Sequence, residues 1–456
     1  MKIVIVGAGK VGRHIAQDLG NEGHDVIIID KSETILNAVM AELDVSTLTG
    51  SGTDYDILKE VGCEDCEIFI AVTNQDETNI ISAIFAKQLG AQNIIARVRM
   101  PEYAKHMDFL TQNLGIHMAL NPEQAAAEQM AMLLRYPTAI EVNVFGQRQI
   151  KLVAIRIHEK SPFANQALYQ LNKLVDEFVL IGLVKREGKT LIPNGQFIIQ
   201  AGDVVYITGT DKAIDYFYKQ SGNYKRTARS ILLIGGGRIS YYLIMALQNT
   251  NIDIKVIELN RNTARILADR FPHITVIWAD GTDQELLTNE HISSFNAVAA
   301  LTGIDEENIL ISLFAEKIGI SKVITKINRV ALLEILGDDR LDSVVTPKSI
   351  IADKIVGEIR AIANSGKSPI NMLYRIGEEV EVGQFKIEQK SHFTNVPLKD
   401  LSIKEETLIL FIFRQGKVIF PKGNDVLLVG DEIGVLMRAG HLAILDGIFL
   451  RSEHHE

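Results

Sequence analysis

The chain has little of what marks a secreted, membrane-spanning or metal-holding protein. Its 456 residues include two cysteines and one tryptophan. No apolar run approaches the ~18–20 residues that cross a bilayer. The cysteines, Cys63 and Cys66, are spaced C-x-x-C. A zinc site needs about four ligands, and there is neither a second C-x-x-C nor a nearby histidine pair. The pair precedes a predicted strand at Glu67–Thr73 rather than opening a helix. It therefore reads as two small residues in a reducing compartment. Met1-Lys2-Ile3 runs straight into a strand, without the apolar core of a signal peptide. Positive charge is also short. The net charge of −10 disfavours nucleic acid and anionic lipid as partners. A soluble, intracellular protein is expected, held at a membrane only through another protein. The one basic segment, Lys225-Arg226-Thr227-Ala228-Arg229, reads as an exposed linker.

What is present is a repeat. The length exceeds one ordinary domain, and 47% hydrophobic residues supply ample core. Gly52-Thr53-Asp54 returns as Gly281-Thr282-Asp283. Asp76, Glu77, Asn79, Phe85, Ala86 and Gly90 return as Asp305, Glu306, Asn308, Phe314, Ala315 and Gly319. Further on, Ser161-x-Phe163 returns as Ser391-x-Phe393, and Gly202-Asp203 as Gly430-Asp431. Two halves of one fold are implied, each with a larger and a smaller part.

In the larger part, apolar runs at 2–6, 25–29, 45–48, 67–72 and 93–98 alternate with helical segments such as Val11–Leu19 and Thr78–Leu89. That pattern predicts a parallel sheet covered on both faces. The smaller part is strand-rich. Glu187-Gly188 and Gln415-Gly416 each sit between two strand-like runs as hairpin turns. A helical stretch beginning at Pro122 or Pro347 joins the parts, proline suiting a first helical turn. Its apolar face allows packing within the chain or bridging to another subunit. The expected fold class is α/β: two tandem repeats, each a Rossmann-like parallel-sheet N-lobe plus a small β-rich α+β C-lobe. The expected segments are 1–121, 122–139 and 140–221 for the first N-lobe, crossover helix and C-lobe, and 228–346, 347–367 and 368–453 for the second.

Gly7-Ala8-Gly9-Lys10-Val11-Gly12 lies between a predicted strand and helix. There the first glycine permits a tight turn, the second lets backbone approach a pyrophosphate, and the third lets helix pack on strand. The helix start offers free N–H groups and partial positive charge. Asp30, at the end of the next strand, is placed to accept from ribose hydroxyls and to repel a 2′-phosphate. This favours NAD(H) or an adenosine nucleotide over a 2′-phosphorylated one. The second loop, Gly235-Gly236-Gly237-Arg238-Ile239-Ser240, puts serine at the third position, where its Cβ and hydroxyl are expected to push the helix outward. Glu258 holds the place of Asp30. Arg238 reads equally as a donor to a terminal phosphate and as a solvated helix-start residue.

Chemistry is not signalled. A Rossmann enzyme needs a domain that holds substrate and a proton donor over the nicotinamide. The small parts carry hairpins, and His158 and His392 are not matched across the repeat. His14 and His24 flank the first helix, and the 11 histidines show no ligand spacing. A duplicated nucleotide-binding unit without a substrate domain points to sensing, not to an enzyme.

With both halves laid out, the chain resembles the TrkA family of Trk-type potassium-uptake regulators. The resemblance rests on Lys2–Gly12, Ala71–Asn79, Ala96–Arg99, Gly235–Ile239, Asp283–Leu287 and the two Gly-Asp pairs, and covers essentially the whole chain. It implies two RCK (KTN) halves and no catalysis. It further implies a homo-oligomer, expected as a tetrameric ring, in the cytoplasm beneath a membrane potassium channel subunit like TrkH or TrkG. NAD(H) binding is implied and, in members of the class, ATP and ADP. The first site would use Gly7–Gly12, Asp30, Thr73, Asn74 and Arg97, and the second Gly235–Ile239, Glu258 and Thr302. Arg97 would neutralise phosphate, or pair with Glu102 or Asp76. In the second half Lys326 and Gly303 replace Arg97 and Asn74, so the two sites are expected to differ. Two other readings compete: an NAD-dependent oxidoreductase of saccharopine-reductase-like type, and an RCK sensor for a potassium-efflux antiporter.

Overall fold

The computed structural model describes residues 1–145, 150–174, 178–222, 227–329, 331–336, 340–364, 370–376, 379–439 and 445–450. Lys225 and Arg226 of the basic segment, the junction set at 367/368 and the end set at 453 lie outside the described residues. The first strand, β1 (Lys2–Val6), is a run of β-branched residues buried from Ile3 onward. β2 (Asp25–Asp30), β3 (Ser46–Thr49), β4 (Ile68–Ala71), β5 (Asn93–Arg97) and β6 (Met118–Leu120) join it in the order β3-β2-β1-β4-β5-β6, all parallel. β6, too short to show a period, was not readable from the sequence.

The first C-lobe is a five-stranded antiparallel sheet, ordered β10-β9-β11-β8-β7. Its strands are β7 (Ala139–Phe145), β8 (Ile150–Arg156), β9 (Val179–Arg186), β10 (Lys189–Leu191) and β11 (Val204–Gly209). The second half repeats both sheets. β12 (Ser230–Ile234), β13 (Asp253–Glu258), β14 (Thr275–Trp278), β15 (Ala297–Ala300), β16 (Lys322–Lys326) and β17 (Ser343–Val345) are ordered β14-β13-β12-β15-β16-β17. β18 (Ile370–Ile376), β19 (Val380–Lys386), β20 (Thr407–Arg414), β21 (Lys417–Ile419) and β22 (Glu432–Arg438) are ordered β18-β19-β22-β20-β21. The hairpin turns have both central residues at positive φ, 49° and 74° at Glu187-Gly188 and 50° and 78° at Gln415-Gly416. This matches the twist of the flanking strands.

The repeated motifs resolve into local physics. In Gly-Thr-Asp the aspartate caps the next helix. Asp54 accepts from the Asp56 and Ile57 N–H groups, and Asp283 from those of Glu285 and Leu286. The glycine is steric, since a Cβ on Gly52 would meet Val6 at 2.2 Å and one on Gly281 would meet Ile234 at 2.4 Å. In Gly-Asp the aspartate is almost fully buried and bound bidentately by arginine. Asp203 takes Arg186, and Asp431 takes Arg414, through bonds of 2.7 Å. The Ser-x-Phe phenylalanines stack on Phe217 and Phe449, with centroids 4.2 Å apart in each half.

The chain divides into two compact units that cut across its two halves. One holds Met1–Ala131, Ser230–Ile318 and Ile324–Ile359, so both N-lobes belong to it. The other holds Met132–Arg229, Gly319–Val323 and Arg360–Glu456, hence both C-lobes. In the latter the two sheets share a core of Phe145, Leu152, Leu183, Tyr206, Val382, Leu410, Phe411 and Leu436. The crossover helices, Pro122–Arg135 and Pro347–Asn364, bury one face each within the single chain. Ala126, Ala127, Met130 and Leu134 do so in the first, and Ile351, Ala352, Ile355 and Ile359 in the second, all without exposed surface. Each buried Ile, Leu or Met contributes about 1.5–3 kcal/mol, and each alanine methyl about 0.8 kcal/mol. Packing within the chain therefore accounts for their apolar character. No helix among the described residues is long and apolar enough to cross a membrane. Cys63 and Cys66 are buried, unbridged thiols.

Candidate functional site

The first glycine loop follows β1 and opens the helix Lys10–Asn21. Gly7 has φ of 112°, which favours glycine, and a Cβ there would touch the Thr73 backbone at 3.0 Å. At Gly12 a Cβ would strike the Gly7 carbonyl oxygen at 1.9 Å. Gly9, the helix cap, has an ordinary φ of −69° and nothing within 4 Å of its Cβ position. The space it leaves lies before the helix start, which has neither a side-chain cap nor an acidic residue in its first turn. An anion is what such a terminus accepts. Ala8 is buried and donates its N–H to Asp30 Oδ2 at 2.8 Å, while Ser32 N–H reaches Oδ1 at 2.9 Å. Asp30 thus shapes the loop, and a carboxylate has lone pairs left for a sugar hydroxyl.

The far wall comes from the ends of β4 and β5. Asn79 is fully buried. Its carbonyl accepts from the Thr73 N–H at 2.8 Å and the Thr73 hydroxyl at 2.7 Å. Its amide donates to the Thr73 and Arg97 carbonyls at 3.2 and 2.9 Å. Asp76 accepts from the N–H groups of Arg99 and Met100, both at 2.7 Å, and faces the Arg99 guanidinium at 3.6 Å. The repeated Asp-Glu-x-Asn is therefore a clamp that fixes two strand ends. Arg97 makes no ion pair with Asp76 or Glu102 among the described residues. It is 7% exposed, donates to the Thr73 carbonyl and leaves Nε without a partner. Burial, then repulsion from Arg99, lowers its pKa to about 10. A buried cation so placed is stabilised by an incoming anion. Asn74 is exposed, and the contact that reaches it is the Arg99 guanidinium on its carbonyl.

The second loop repeats this with different means. Gly235 has φ of 103°. Gly236 N–H donates to Glu258 Oε2 at 2.5 Å, and Asn260 N–H to Oε1 at 2.7 Å. At Gly236 the methyl of Ala8 would meet the tip of Leu267, whose Cδ1 lies 2.6 Å from the Cβ position and would have to turn aside. Gly237 is open, like Gly9. Ser240 was expected to push the helix away. Instead its buried hydroxyl donates to the Gly235 carbonyl, so a hydrogen bond stands where the first half has a steric limit. Ile239 is buried, as is Val11, its counterpart. Thr302 N–H is held by Asn308 Oδ1 at 2.8 Å, and Lys326 Nζ donates to the Thr302 carbonyl at 2.7 Å. Burial lowers the Lys326 pKa. Trp278 lies on the edge strand opposite Glu258, its Nε1 donating to the Leu259 carbonyl at 3.0 Å.

Within this unit the two N-lobes touch. Tyr242, on the helix after the second loop, donates to the Arg99 carbonyl at 2.7 Å and accepts from Asn121 at 2.8 Å. Arg238 is 3.7 Å from Glu123, which also lies 3.8 Å from Arg99. Arg238 is therefore neither purely solvated nor free. Its repeat counterpart Lys10 makes no ion pair among the described residues. His14, read as flanking the first helix, lies inside it and faces Asp18 at 3.9 Å.

The structure thus gathers Gly7–Gly12, Asp30, Thr73 and Arg97 around one loop, and Gly235–Ile239, Glu258 and Thr302 around the other. Asn74 contributes main chain. Reading motifs missed Asn79, Asn308, Glu123 and Tyr242 as site-building residues. A signal existed for the asparagines, polar residues repeating at the same place on an apolar helix face. None existed for the other two, which reach partners in the other half, Glu123 to Arg238 and Tyr242 to Arg99 and Asn121.

The TrkA-N domain model matches residues 3–122 and 231–347, and the TrkA-C domain model 152–222 and 382–448. The chain is 29% identical over 452 residues to the Trk system potassium uptake protein TrkA homolog of Archaeoglobus fulgidus, covering 98% of this chain and 100% of that one. It is 30% identical over 431 residues to a TrkA homolog of Methanosarcina mazei, covering 93% and 100%. Among solved structures, the GsuK channel bound to NAD superimposes with a TM-score of 0.65 at 15% identity, over 96% of this chain and 77% of that one.

Proposed function

Because the chain belongs to the TrkA family, we propose that it is the nucleotide-sensing regulatory subunit of a Trk-type potassium uptake system. In this reading NAD(H) and the adenosine nucleotides ATP and ADP occupy its two glycine loops. Occupancy then gates a membrane channel subunit of TrkH or TrkG type. The protein works as a homo-oligomeric, tetrameric ring in the cytoplasm, peripheral to the membrane through that partner. One observation supports this above the rest. Each half sets an uncapped helix start with an open glycine near a cation held on a strand-end carbonyl, Arg97 in the first and the half-buried Lys326 in the second, yet no cluster of His, Cys, Asp or Glu able to hold a metal exists among the described residues. The similar channel holds NAD, and the same ligand is proposed here. A nucleotide shifts the lobes only by binding one arrangement better than another, with coupling of about 1–3 kcal/mol per site.

Trp278 supplies the test. It is the only tryptophan and sits beside Glu258. Titrating NADH into the purified chain should give saturable energy transfer from Trp278, reversed by ATP and ADP. Gly237→Asp should abolish it, because an acid at that open position repels phosphate without disturbing the backbone. Absence of any nucleotide binding would sink the proposal. Steady NADH consumption with a substrate would replace it by the oxidoreductase reading.

A further inference from the structure

At the top of each N-lobe sheet three neighbouring strands end side by side. In the second half β12 runs into the glycine loop, β13 beside it ends at Glu258, and the edge strand β14 ends at Trp278, paired in register with Glu258. Glu258 is tied back to the loop through the Gly236 N–H. The first half repeats the order, with the loop after β1, Asp30 ending β2 and Thr49 ending β3, again in register. A nucleotide carries phosphate, sugar and base in the same order along its length. With phosphate at the loop and sugar at the carboxylate, the base is carried over the next strand, about 4.8 Å further out.

The two halves differ at that third strand. In the second, Leu259 follows Glu258 and is 66% exposed, and Trp278 is 59% exposed. Core packing does not account for an indole that stays largely in water. The ring is nonetheless fixed. Its Nε1 donates to the Leu259 carbonyl at 3.0 Å, and the Arg261 guanidinium lies over it, 5.0 Å from the ring centroid. A tryptophan held in this way presents a flat apolar surface and has little rotamer freedom left to lose on binding. In the first half the matching positions are Lys31, Glu33 and Thr49, all exposed. None of them offers a ring.

Resting on the nucleotide-sensing reading above, we propose that Trp278, flanked by Leu259 and Arg261, is a base-stacking platform that sets the second loop apart from the first. A base gains from stacking on an aromatic side chain through its π-face, in proportion to the ring area covered. The second loop therefore holds its nucleotide by base as well as by phosphate, and prefers a purine to the smaller pyrimidine. The first loop holds the same ligands by sugar and phosphate and is nearly indifferent to the base. Trp278 is thereby a specificity-determining residue of the second site.

Calorimetry on the full chain tests this with ADP, CDP and ribose 5-phosphate, using Gly9→Asp to isolate the second loop and Gly237→Asp to isolate the first. Both glycines have ordinary φ and open space, so each block leaves the fold intact. At the second loop ADP should bind several-fold more tightly than CDP, and at the first the two should bind alike. Trp278→Ala should weaken ADP at the second loop about tenfold, the worth of one stacked base. It should leave ribose 5-phosphate unchanged and bring ADP and CDP together. Trp278→Phe should recover most of the ADP affinity, since a ring is restored without the indole N–H. Thermal unfolding of each variant reports its folding separately. An unchanged ADP affinity in Trp278→Ala, an equal loss for ADP and ribose 5-phosphate, or the same ADP-to-CDP ratio at both loops would overturn the platform while leaving the sensor reading intact. No binding of any nucleotide at either loop would overturn both.

Discussion

The two glycine loops share a strand order and a polar clamp, yet solve the same close approach in opposite ways. At Gly12 there is no room for any side chain, because the Gly7 carbonyl lies 1.9 Å from where a Cβ would stand. At Ser240 the equivalent carbonyl accepts the serine hydroxyl. Conversely, Ala8 fits freely where a methyl at Gly236 would have to displace the tip of Leu267. A phosphate-cradling loop is therefore a packing problem shared by the loop, its helix and the strand beneath. The glycine pattern is one solution, and a buried hydrogen bond is another.

The sharpest way to break this comparison is to exchange the residues. Gly12→Ser should destabilise the chain by about 3 kcal/mol, at the upper end for overpacking, because the first loop has not opened to admit the side chain. Ser240→Gly should cost only about 1 kcal/mol, one buried hydrogen bond. Equal losses in chemical denaturation would mean the two loops are equally open.

A smaller effect separates the two strand-end cations, the buried Arg97 and the half-buried Lys326. Arg97→Met should reduce nucleotide affinity at the first loop about tenfold or more, yet leave thermal stability unchanged or raised. A buried charge with an unpartnered Nε costs the fold more than a methionine of similar volume. Lys326→Met should move both readouts in the same direction but less, lacking the guanidinium fork. A clear loss of stability in Arg97→Met would show that its bond to the Thr73 carbonyl outweighs its burial.

The smallest expected effect concerns the contact between His117 and Glu358, 3.0 Å apart within the N-lobe unit. Its hydrogen bond to Glu358 raises the His117 pKa above the usual 6.5. The folded state therefore binds the proton more tightly than the unfolded chain. The contribution is complete below the unfolded pKa and is lost as pH rises through the folded one. Because the ring is partly exposed, it should stay below about 1 kcal/mol. His117→Gln should flatten the stability profile between pH 6 and 8, and an unchanged slope would exclude this pair as its source.

Much of the architecture was legible because its causes are local. β-branched runs buried on both faces, prolines at helix starts and turn pairs at positive φ impose the same geometry wherever they occur. So do aspartate caps, and the repeat let each half check the other. The short β6 and β17 were not legible, because three residues carry no period. Nor were β7, β8, β18 and β19, whose runs are separated by longer stretches containing Gly146 or Gly377 instead of the two-residue pair that marks β9–β10 and β20–β21.

By itself the sequence determined the first five strands of the N-lobe, the hairpins at Glu187-Gly188 and Gln415-Gly416, the two glycine loops and the residues beside them, since these depend on steric and hydrogen-bonding rules acting within a few residues. Tertiary structure alone decided the rest. It joined N-lobe to N-lobe and C-lobe to C-lobe across the halves, and made the repeated Asp76 and Asn79 a clamp on two strand ends. It left Arg97 without an ion pair, and brought Glu123 to Arg238. The contacts between the N-lobes, such as those of Tyr242 with Arg99 and Asn121, link residues more than 100 positions apart, held in place by the burial of apolar faces that no local pattern orients.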